Sequence, residues 1–107
     1  MMDATDEERW AVWTVQARRF AQRENFTDAV SRAELVLAGV REALAEASDP
    51  SDRGRLERRL AYAQEQVSEL SAQRDAWREA IAQRRQRTIE GAAEEMAKPL
   101  PRAADER

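Results

Sequence analysis

The chain has 107 residues, 42% hydrophobic and 36% charged, with a formal net charge of −3. That length fits one domain, and because 21 of the hydrophobic residues are alanine it supports one thin core. Cys and His are absent, which excludes disulfides, thiolate metal sites and the commonest acid-base side chain.

Thr5 followed by Glu8 reads as a capping box that opens a first helix over about 6–23. Trp10, Trp13, Ala17 and Phe20 step by three and four along it, which puts one apolar stripe on a single face. Val12 and Ala21 widen that stripe. An aromatic stripe at this spacing is core rather than a ligand site.

Glu24-Asn25-Phe26-Thr27 reads as a tight turn, with Thr27 as the cap of a second helix over about 28–47. Val30, Ala33, Leu37, Val40, Leu44 and Ala47 keep the same alternation, and Ala29, Val36 and Ala43 lie beside them. So broad an apolar face is expected of a helix touching two neighbours. The segment from Ser48 to Asp52 ends this helix around Pro50 and starts the next, with Ser51 or Asp52 as cap.

A third helix is expected over about 52–97. Leu56, Leu60, Ala63, Val67, Leu70, Arg74, Trp77, Ile81, Arg84 and Thr88 follow an unbroken 4-3 alternation. That is a heptad seam with arginine at two of its positions. Gly54 and Gly91 bound a stretch free of both Gly and Pro, and Pro99 and Pro101 end the helix.

These elements define an all-α fold: an antiparallel helical hairpin packed on a long third helix, a three-helix bundle with a coiled-coil-like extension. Residues 1–5 and 98–107 are expected to be disordered, 6–72 to form the bundle, and 73–97 to project as an interaction segment. The reason is length. The hairpin helices reach roughly 30 Å, whereas about 45 residues of helix reach roughly 68 Å. Trp77 and Ile81 would then lie beyond the hairpin, each leaving roughly 1.5–3 kcal/mol of burial unrealised without a partner. The alternative is a break near Ser68–Ala72 that folds a short fourth helix over Phe20 and Phe26.

Trp13, Ala17, Phe20, Phe26, Ala29 and Val36 fall at the spacings of a single tetratricopeptide-type hairpin, which this stretch resembles. It departs in having one repeat, a longer second helix and no closing Pro after Leu37. With the third helix, the strings NFTDAVSRAELVLAGVREAL and RLERRLAYAQEQVSEL resemble the MIT (microtubule-interacting and trafficking) module over residues 10–70. The resemblance implies a protein-binding bundle whose inter-helix grooves accept a partner helix or strand.

Two surfaces are candidates for association. The first is Leu70, Arg74, Trp77, Arg78, Ile81, Arg84, Arg85 and Thr88, aromatic and aliphatic anchors with an arginine rim. The plainer reading is core beneath a folded-back segment. The second is Leu35 with Ala38, Gly39 and Glu42, where small residues admit another backbone; a lone exposed Leu is the plainer reading. The run from Gln83 to Arg87 suits phosphate or an acidic partner, or is a solvated face paired with Glu90, Glu94 and Glu95.

The function expected is non-enzymatic: a protein-protein interaction module, an adaptor, scaffold or small regulatory subunit, joining a second copy as a homodimer or a helical partner protein. The alternative is a small nucleic-acid-associated regulator using the Arg-rich part of helix three, disfavoured by the acidic balance. No catalytic, metal-ligating or cofactor-binding residue is identified, no cofactor is expected, and no membrane span appears. The acidic first residues lack a signal pattern, so a cytoplasmic location is expected, and 17 Arg against one Lys fits a GC-rich, bacterial genome.

Overall fold

A chain dominated by Ala, Arg, Glu, Gln and Leu favours helix wherever Pro or a competing polar side chain does not intervene. The computed structural model describes residues 4–99, with side chains from residue 6 onward. It contains α1 (Ala4–Gln22), α2 (Phe26–Glu46) and α3 (Pro50–Ala97), and no strand among the described residues.

The helices begin earlier than their expected caps. α1 is already helical at Ala4 and Thr5, so the helix starts before Thr5 rather than at it. The expectations for residues 1–3 and 100–107 fall outside the described residues. α2 is capped by Asn25 rather than Thr27: the Asn25 side chain accepts the Asp28 N–H at 3.4 Å and donates to the Asp28 carboxylate at 2.7 Å. α3 is capped by Asp49 rather than Ser51 or Asp52. Its carboxylate accepts the Asp52 N–H at 3.3 Å, and its carbonyl receives Arg53 N–H at 2.9 Å. Pro50 then occupies the first helical position, where a missing N–H costs nothing.

Between α1 and α2 the chain turns through Glu24, whose φ of 60° is left-handed. Glu24 N–H reaches the Ala21 carbonyl at 3.0 Å and Asn25 N–H reaches Phe20 at 2.8 Å. This pair of bonds is the Schellman helix ending, its left-handed position filled here by Glu instead of Gly.

The first unit of the chain ends at Asp75. Within it, α1 and α2 bring their backbones closest together. Ala17, Ala29 and Ala33, all buried, permit that approach. Packed with Val30 and Leu70, they form one core cluster, bordered by Phe20 and Ala21. The other cluster joins Trp10, Val36, Leu37, Val40, Leu56 and Ala63. α3 therefore runs beside α1 in the same direction, Leu56 near Trp10 and Leu70 near Ala17. It packs through its longer side chains: Leu60 borders the Trp10 cluster and Val67 bridges the two. Val12 does not join the stripe; it is exposed.

The second unit begins at Ala76. α3 is one continuous helix through Ser68–Ala72 and on to Ala97, so the break expected near Ser68–Ala72 is not there. From Ala76 to Pro99, Ile81 is half-buried and every other residue is exposed.

Candidate functional site

In the first unit, a groove of about 530 Å³ opens where the start of α1, the second half of α2 and the start of α3 meet. Its size is that of a small-ligand or side-chain site. Leu35, Ala38, Gly39 and Glu42, the face marked out in the sequence, all line it. Trp10, Trp13, Ala43, Ala47 and Leu56 complete the apolar part. The close neighbour that Gly39 admits is the Trp10 indole of the same chain. A Cβ at position 39 would overlap Trp10 Nε1 and sit 3.2 Å from Cε2.

The groove's charge is acidic. Asp6, Glu42, Glu46, Asp49 and Asp52 line it against Arg9 alone. Three of these acids already have structural work. Asp6 lies 4.0 Å from Arg9, Asp49 caps α3 and Asp52 pairs with Arg55 at 3.3 Å. The carboxylates of Glu42 and Glu46 make no ion pair or hydrogen bond with any described residue, and the two residues stand one turn apart on α2. No basic residue occupies the last turn of α2. Its terminal carbonyls at Leu44 and Ala47 accept instead from Arg53, at 3.1 and 2.8 Å, outside the groove lining. Arg9 lies over the Trp13 ring at 5.9 Å and Arg59 over Trp10 at 5.8 Å.

A shallower space of about 270 Å³ lies between α1, α2 and α3 on the far side, beside Tyr62, whose hydroxyl accepts from Arg18.

The residues of the expected helix seam are divided. Leu70 belongs to the hairpin core and Arg74 is half-buried, its Nε donating to Asp75 at 3.4 Å. In the second unit, Trp77 is 38% exposed and Arg78, Arg84, Arg85 and Thr88 are exposed. The Thr88 hydroxyl folds back to the Arg84 carbonyl at 2.9 Å. Two residues outside the heptad template join this surface: Ile89 at 61% and Met96 at 85% exposed. They sit about 60–80° further round the helix than Ile81. Their own seven-residue spacing was the available signal.

The arginine run does not pair with the acids that follow it. Among the described residues Arg84, Arg85 and Arg87 form no ion pair. Glu90 accepts from Gln86 at 3.0 Å and Glu95 from Lys98 at 3.2 Å. Charge is segregated: residues 76–87 carry four Arg and one Glu, residues 88–98 three Glu and one Lys.

Among the described residues no group of three acidic side chains is placed to hold a metal ion, and no helix is long and apolar enough to cross a membrane. No protein family, no curated protein and no solved structure matches this chain.

Proposed function

We propose that this protein is a non-enzymatic interaction module that associates with a second copy of itself through the second unit of α3. The observation that carries the reading is the apolar side chains that unit exposes to solvent. Trp77, Ile89 and Met96 are exposed on a helical segment that buries none of its residues fully. A lone helix of this length is marginal in water, and aromatic side chains with an arginine rim are the composition that interfaces favour. The sequence pattern, which resembles a tetratricopeptide-type hairpin from Trp13 to Val36 and an MIT module over residues 10–70, supports the same class of function.

Charge selects the occupant and its direction. The basic half, 76–87, faces its own like charges in a parallel in-register pair. It faces the acidic half, 88–98, in an antiparallel one. A second copy running antiparallel is therefore the partner of this surface.

Size-exclusion chromatography with light scattering on the full chain tests this. A dimer is expected at micromolar concentration, with Trp77→Ala moving it to monomer. Arg84→Glu with Arg85→Glu is expected to weaken the dimer, and adding Glu94→Arg with Glu95→Arg to restore it. A chain that is monomeric under all these conditions overturns the reading. Arg84, Arg85 and Arg87, which form no ion pair among the described residues, also suit phosphate. Steeply salt-dependent binding of an oligonucleotide by a monomer would favour that second reading, because apolar association is not weakened by salt in this way.

A further inference from the structure

We infer that the acidic groove of the first unit is a second docking site, independent of the α3 seam, for a cationic peptide segment that presents arginine beside an apolar side chain.

The lining supplies both halves of that recognition. Trp13, Leu35 and Ala38 offer apolar surface to a partner's aliphatic or aromatic side chain. Leu35 is exposed and Trp13 half-buried, so both are reachable. Glu42 and Glu46 stand at the edge of this surface without a counter-charge. Two like charges one helical turn apart repel, and both lie towards the negative end of the α2 dipole. Arg53, the one guanidinium serving that helix end, is committed to the backbone carbonyls and lies outside the groove. An incoming cation therefore relieves a repulsion the chain leaves uncompensated.

The groove already shows the geometry such a cation would adopt. Arg9 spreads over the Trp13 ring at 5.9 Å while its guanidinium lies 4.0 Å from Asp6. That is an indole face and a carboxylate shared by one guanidinium, on the α1 wall. Glu42 and Glu46 provide the matching carboxylates on the α2 wall, with no resident guanidinium. Arginine suits the position better than lysine because its planar group can stack and bind a carboxylate together.

The test uses the full chain and a short amidated peptide carrying arginine and leucine at helical spacing. Nuclear magnetic resonance titration is expected to shift the Trp13 indole N–H and the Glu42 and Glu46 amides first. Glu42→Lys with Glu46→Lys is expected to weaken binding about tenfold or more. The same charge change elsewhere, Glu65→Lys with Glu69→Lys on exposed α3 positions, is expected to leave most of it. Glu42→Gln with Glu46→Gln repeats the loss without introducing new charge. Equal weakening by the two lysine pairs would show attraction to net charge alone and overturn the site. So would shifts that bypass Trp13. A dimer lost through Trp77→Ala with peptide binding intact separates this groove from the α3 seam.

Discussion

The same 4-3 alternation runs through both units of α3 and meets two fates. Over residues 56–70 its Leu56, Ala63 and Leu70 are buried against α1 and α2. Over residues 76–99 the chain buries nothing completely. A heptad pattern thus states which face of a helix requires cover, and neighbouring chain decides whether cover is present. In the first unit the hairpin supplies it. In the second, the apolar arc and the segregated charge are the basis for proposing another copy.

Substitutions can break that contrast. The largest effect is expected at Leu56, fully buried beside Trp10. Leu56→Ala should lower stability by about 2–5 kcal/mol in denaturant unfolding. Met96→Ala should change the stability of the monomer by no more than about 0.5 kcal/mol, because Met96 is 85% exposed. Similar losses at both positions would erase the distinction.

The glycines give a sharper version. Exchanging Gly for Ala inside a helix ordinarily stabilises by about 0.5–1 kcal/mol. At Gly91 nothing lies within 4 Å of the added carbon, so Gly91→Ala should follow that rule. At Gly39 the added carbon meets Trp10, so Gly39→Ala should reverse the sign and cost about 1–3 kcal/mol. Thermal unfolding of the two variants side by side reads the difference directly. Glu24→Gly should stabilise the first unit by about 1 kcal/mol, because glycine accepts the left-handed backbone that glutamate holds at φ 60°. The smallest perturbation is none at all: at low concentration, amide hydrogen exchange should be faster across 77–97 than across 56–70.

The three helices and the core faces of the hairpin were legible because helix-forming residues and periodic apolar positions agree along the whole chain. Caps were less so. Asn25 and Thr27 both suit an N-terminus, as do Asp49, Ser51 and Asp52, and only the backbone path selects among such neighbours. Leu35, Ala38, Gly39 and Glu42 could be read as one face. That Trp10, Trp13 and the start of α3 close it into a groove depends on residues far apart in the chain. Ile89 and Met96 lie off the seam, because a seam template follows one line of a helix and ignores the line beside it.

The fit of the Trp10 indole into the space left by residue 39 has an evolutionary corollary. Neither residue drifts freely alone: a side chain at 39 forces the ring to shift, and a small residue at 10 leaves a hole in the floor. Descendants of a common ancestor that keep this packing should change the two columns together or not at all. A distant relative can then be recognised by that linked pair even where little else aligns.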